Sequence, residues 1–177
     1  MQRNSKIAVC LMLSVLIVLP LYIFLHESGH LIVMLFAGAT ITDFSILTAH
    51  VSAIGGNYTN LSYLWLHANG VLLPIFVSLV YMMFYRKENE SMFYHTFSYL
   101  FLLMPIFSLL AWVVVPFVYL QGNAPVNDDV TKFIYYFSKN YHPLIVSAVA
   151  ILIIVISLSV MIKKKIIQNL ISIVKEQ

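Results

Sequence analysis

The sequence predicts an all-α polytopic membrane protein, with about four transmembrane helices and a short β-prone segment between the first and second. Three observations predict it. The 177 residues are 61% hydrophobic and only 10% charged, whereas soluble domains are about half apolar and about a quarter charged. The apolar residues gather into four runs, each long enough for the ~20 residues that cross a bilayer. The basic residues flank alternate ends of those runs, as cytoplasmic loops do. Mean hydropathy is +0.91. The net charge of +3 is small and sits at helix ends, so it excludes a nucleic-acid footprint. The lone Cys10 excludes an intrachain disulfide and offers no thiolate metal site.

The opening "MQRNSKIAVCLMLSVLIVLP" starts basic and turns apolar, like a secretory signal. No small-residue cleavage site follows, so the segment is expected in the mature protein. The first span covers residues 7–38. It is too long for one straight perpendicular crossing, so tilt or a kink is expected, with Pro20 as the kink site. Residues 39–60 are polar and turn-rich. "TDFSILTAHVSAIGGNYTN" mixes β-branched residues with Gly55 and Gly56, which predicts a short strand or hairpin. The second span covers 61–85 and ends at "RKENE". The third covers 92–120, with Pro105 and Pro116 inside as either a kink or a packing irregularity. A loop opening a short amphipathic helix follows. The fourth span, 143–162, is closed by Lys163, Lys164 and Lys165, and the tail "IIQNLISIVKEQ" suits a membrane interface. All of residues 1–177 read as one membrane-embedded domain.

Charge fixes the expected orientation. Arg3 and Lys6 precede span one, loop one has no Lys or Arg, and loop two carries Arg86 and Lys87. Both termini are therefore expected in the cytoplasm, as those of an integral multi-pass protein in a lipid bilayer.

Within span one stands "FLHESGHLIV". An ionisable group deep in a membrane costs roughly 2.5 kcal/mol or more and is retained for function. His26 and His30 are four apart, so a helix places both on one face, about 5–6 Å apart at Cβ. Two neutral imidazoles there can grip one divalent cation, and Glu27 lies close to the same face. H-E-x-x-H on a helix is the zinc-hydrolase pattern for this reason. The expected cofactor is one Zn²⁺ ion, with Glu27 as catalytic base and acid.

A catalytic zinc site needs a third protein ligand and an open position. The histidines fall in the outer half of span one. Glu88, Glu90 and Glu176 are then on the wrong side, and Asp43 lies past the helix end. Asp128 and Asp129 remain. From Asp129, the positions four, seven and eight onward are Phe133, Tyr136 and Phe137; from Asp128, four, seven and eleven give Lys132, Tyr135 and Lys139. Asp129 is therefore on the apolar face and is the favoured ligand, while Asp128 falls with Lys132 on the basic, solvated face as the alternative ligand or the helix N-cap. His67 opens span two on the same side, as a partner to the metal ligands, a substrate contact or an interfacial residue. His50 and His142 read as loop residues, His50 within possible reach of the metal. His95 has no assigned role. Tyr63, Trp65, Tyr81 and Tyr85 bracket span two like an aromatic belt.

With these residues in place, the chain resembles the site-2 protease family of intramembrane zinc metallopeptidases, especially its small, minimal members. "HESGH" in an early membrane helix, a glycine-containing β-prone segment ending in "IGGNY", and a later Asp within "NAPVNDD" match in order. "HANGVLLP" resembles the family's small-residue helix, which implies that Asn69 hydrogen-bonds the substrate backbone or the site. The family's Asp-Gly pair after Asn-x-x-Pro has no counterpart, since Asn123 and Pro125 are closer together and no glycine follows either aspartate. The resemblance implies hydrolysis of a peptide bond in or near a transmembrane segment of a membrane-protein substrate, in a hydrophilic pocket between spans one, two and three. The alternative is a metal-binding but non-proteolytic membrane protein, such as a pseudoprotease, assembly factor or carrier.

Overall fold

The computed structural model describes residues 3–176. Met1, Gln2 and Gln177, together with the side chains of Arg3, Asn4, Ile173 and Glu176, lie outside the described residues. Two of those side chains belong to the charges counted above.

Six helices and one hairpin follow in the order α1 (Arg3–Phe36), β1 (Ala39–Ser45), β2 (His50–Gly55), α2 (Asn60–Met83), α3 (Met92–Leu120), α4 (Asp129–Phe137), α5 (Leu144–Lys163) and α6 (Ile166–Glu176). Helices α1, α2, α3 and α5 are long and apolar enough to cross a membrane. Large apolar side chains stay exposed along them, Leu16 and Leu152 among them.

α1 has 34 residues, a length of about 51 Å at 1.5 Å per residue. It stays helical through Pro20, as α3 does through Pro105 and Pro116. It stops at Gly38, whose φ of +78° suits a residue without Cβ. The chain then turns into an antiparallel hairpin pairing Ala39 with Gly55 and Ser45 with His50, with one irregularity at Thr42. Gly55 and Gly56, at φ +74° and +88°, end the strand. α2 begins with a reciprocal cap: Ser62 N donates to Thr59 Oγ1 at 3.2 Å, and Thr59 N to Ser62 Oγ at 2.6 Å. Such a cap satisfies amides that the first turn leaves free.

α1 packs on α2 and α3, α3 on α5, and α4 against α2 and α3. Val71, Leu109, Trp112, Ile134, Val146 and Ala150 join four of these helices in one core. Hydroxyl groups link helices where apolar burial alone gives little direction. Ser14 meets Thr96 at 2.9 Å between α1 and α3, and Ser147 donates to Val113 O at 2.8 Å between α5 and α3.

The hairpin and α4 lie at one end of the bundle. At the other end, Tyr81 and Tyr85 depart from the belt expected for them. Tyr81 Oη lies 2.6 Å from Ser98 Oγ, and Tyr85 is buried with its hydroxyl 2.7 Å from His95 Nδ1. His95 is fully buried, with Nε2 2.6 Å from Asn89 O. A carbonyl only accepts, so Nε2–H donates to it and Nδ1 accepts from Tyr85, which in turn accepts from Asn169 Nδ2 at 3.1 Å. His95 thus pins α6 and the α2–α3 loop to the bundle. Sequence alone gave it no role because its partners come from three separate segments.

Candidate metal centre

Two glycines let the site form. A Cβ on Gly29 would lie 2.1 Å from the Asn69 carbonyl oxygen, so only glycine permits α1 and α2 to approach this closely here. Asn69 closes the contact by donating from Nδ2 to Gly29 O at 2.8 Å. One residue on, Gly70 leaves the space that the imidazoles fill. Its Cβ would meet His30 Nε2 at 2.6 Å and His26 Cε1 at 2.8 Å.

His26 Nε2 and His30 Nε2 are 3.1 Å apart. Asp129 Oδ2 is 3.3 Å from the first and 3.1 Å from the second. Three ligands at ~2.0–2.2 Å around a tetrahedral ion stand about 3.3 Å from one another, so the nearly equilateral triangle fits one such ion. These residues form a group able to hold a metal ion. Leu66 O lies 2.7 Å from His30 Nδ1 and accepts its proton, which leaves the Nε2 lone pair free for a cation. His26 Nδ1 is buried without a hydrogen-bond partner, so only His30 has its tautomer fixed in this way.

α4 delivers Asp129. Asp128 caps that helix, accepting from Thr131 N at 3.2 Å, while Asp129 in the first turn points to the imidazoles. His67 Nδ1 lies 3.2 Å from the other oxygen, Oδ1. The His67 ring stacks on Tyr136, Tyr136 on Tyr63, and Tyr63 on Tyr58, a column that clamps α4 to the start of α2. Burial alone would push the Asp129 carboxyl up. The contact with His67 and, when their Nε2 atoms carry protons in place of an ion, those with His26 and His30 outweigh it and hold the carboxyl well below the usual carboxylate range.

Glu27 is buried at 6% exposure and lines the same pocket as His26, His30 and Asp129, a space of about 310 Å³. It forms no ion pair among the described residues. A buried carboxylate beside a metal group and without a fixed partner is available to a proton carried by water.

The pocket differs from the expected one. Its walls come from α1, the hairpin, α2 and the α4 region, and none of its lining residues belongs to α3. α4 takes that place, because the Val130 and Ile134 side of α4 packs on α2 and α3. His50 is also not a loop residue: it opens β2 and lines the pocket. Lys132, assigned to the solvated face with Asp128, lines it as well. The missed signal was helical spacing, since Lys132 follows Asp129 by three and therefore shares its side of α4. Asn69 lines a separate cleft with Trp65, Asn57 and Phe36, and its amide is committed to Gly29.

Fold and site together define a bundle with four helices long and apolar enough to cross a membrane, and with a two-histidine, one-aspartate group at one end. Comparisons with protein-family models, curated proteins and solved structures find no match to this chain.

Proposed function

We propose that the chain is a multi-pass membrane protein and a zinc metalloendopeptidase, similar in its chemistry to the site-2 proteases. It would hydrolyse a peptide bond in or near a transmembrane segment of another membrane protein. The observation that carries the reading is the three-atom triangle of His26, His30 and Asp129 with an unpaired, buried Glu27 in the same pocket. A structural ion needs four closed ligands; here His67 is spent on the far oxygen of Asp129, which leaves a position for water and substrate.

An ion held by His26, His30 and Asp129 would supply a Lewis acid for a peptide carbonyl and a water. Glu27 accepts a proton from that water as it adds to the carbonyl carbon. It then returns the proton to the amine that leaves as the C–N bond breaks. His67 holds the Asp129 carboxylate in place. Apolar side chains exposed along the four long helices supply the lipid contact. With both termini cytoplasmic, water and substrate reach the site from the outer face, past the hairpin.

Glu27→Gln in the full chain, purified in detergent, tests the reading. It should retain one zinc per chain and lose cleavage, and it should trap substrate in membranes. Absence of stoichiometric zinc in the wild type removes the proposal. Zinc without any effect of Glu27→Gln on a phenotype that depends on His26 favours the non-proteolytic alternative. Reporter fusions after Lys165 and within the hairpin should report opposite sides of the membrane.

A further inference from the structure

Lys132 lines two adjoining spaces. One is the metal pocket, where it stands with Asn127, His50 and His67. The other is a cleft of about 700 Å³ that shares His67 and continues past Tyr135, Tyr136 and Gly122. Lys132 is half-buried and has no ion pair among the described residues.

Charge makes this position informative. Glu27 and Asp129 are the two acids of the pocket, and together they balance a divalent cation. Neutral imidazoles add nothing to the sum. Lys132 therefore leaves the loaded pocket with one uncompensated positive charge, and its ammonium is repelled by the bound ion. A lysine in such a place is stabilised by an anion that arrives from outside. The other groups lining the pocket with it, the Asn127 amide and the His50 and His67 rings, add no negative charge, and Asp128, four residues earlier, is outside the lining with its carboxylate on Thr131 N as the cap of α4.

We infer that Lys132 is the floor of a subsite for a carboxylate of the substrate, next to the bond that is cut and on the side of the Tyr135–Tyr136 cleft. This rests on the peptidase reading and adds a substrate class to it: peptides with an acidic group within a residue or two of the scissile bond. That carboxylate has two sources, an Asp or Glu side chain or a free chain terminus.

Short peptide hydroxamates, which bind a metal ion directly, are the probes. They are titrated against the full-length, cobalt-loaded protein in detergent, and the cobalt spectrum reports binding without any turnover. Three probes share one sequence: one with an internal Asp and an amidated end, one with Asn and a free terminal carboxylate, and one with Asn and an amidated end. At least one acid should bind tenfold or more tighter than the fully neutral probe, and which acid does so identifies the source. Lys132→Met should remove the preference while cobalt stoichiometry stays at wild type, with Lys132→Gln as the second neutral variant and Lys132→Arg restoring it. Equal binding of all three probes to the wild type, or a preference that survives both neutral variants, overturns the subsite. Failure to bind cobalt, or any hydroxamate, overturns the peptidase reading and the subsite with it.

Discussion

His67 Nδ1 stands 3.2 Å from Asp129 Oδ1, while Oδ2 of the same carboxylate faces Nε2 of His26 and His30. One oxygen is thus held by protein and the other is left for a metal ion. Partners of this kind fix ligand orientation, and their loss typically lowers metal affinity by about 10–100-fold. His67→Ala should fall in that range by chelator competition on the purified full chain. His67→Asn keeps an N–H close to the place of Nδ1 and should recover most of the loss. Equal affinities for wild type and His67→Ala would make the contact incidental.

Asp128 and Asp129 are neighbours with separate tasks. Asp128 accepts from Thr131 N as the cap of α4, and Asp129 meets both imidazoles. Asp129→Asn should abolish stoichiometric metal binding. Asp128→Asn should leave it intact, since Asn caps as well as Asp, and Asp128→Ala should cost about 1 kcal/mol of stability. Metal analysis of the three variants checks this; metal loss in Asp128→Asn with retention in Asp129→Asn would exchange the assignments.

Acid should release the metal through the imidazoles. The Asp129 carboxyl is held well below the usual carboxylate range. A depressed acid contributes stability that is complete above about pH 4 and is lost only as pH falls through its lower folded value. It therefore stays ionised in mild acid, and loss of the ion there does not begin with this ligand. Two ligating imidazoles mean two protons per ion. Where acid displaces the ion from both imidazoles, the logarithm of the dissociation constant should rise by about two for each unit that the pH falls. A slope near one would leave a single histidine as ligand.

Much of this architecture is legible in the chain because its signals are local. Apolar runs end at capping residues and charges, so the third span, 92–120, matches α3 at both ends. The helical phase from Asp129 through Phe133 and Tyr136 separates it from Asp128 before any coordinates are known. What stays hidden depends on pairings between distant segments. Nothing in "HANG" says that Gly70 receives two imidazole rings. Nothing near His95 announces Tyr85 and Asn169. Lys132 was misplaced because one helical face was read from Asp128 alone, although positions three apart also share a side. The pocket wall was assigned to α3 because a nine-residue helix gives little hint that it displaces a long apolar helix from the site.

The two glycines should fail in different ways when each becomes alanine. In a helix interior alanine is intrinsically better than glycine by roughly 0.5–1 kcal/mol, so any loss reports packing. At Gly29 the new Cβ would meet the Asn69 carbonyl oxygen at 2.1 Å and its carbon at 2.6 Å. Those are backbone atoms of α2, and relief requires the helices to part. Overpacking of this kind costs about 1–3 kcal/mol or more, so Gly29→Ala should lower the thermal midpoint of the metal-free protein and weaken metal binding together. At Gly70 the atoms met are the ligating edges of His30 and His26, at 2.6–2.8 Å. Rings can rotate away while the helices stay packed. Gly70→Ala should therefore keep a near wild-type midpoint without metal and lose most metal affinity. Thermal melts with and without zinc, paired with chelator competition, separate the two outcomes, and full metal affinity in Gly70→Ala would mean that the imidazoles do not use the space this glycine leaves.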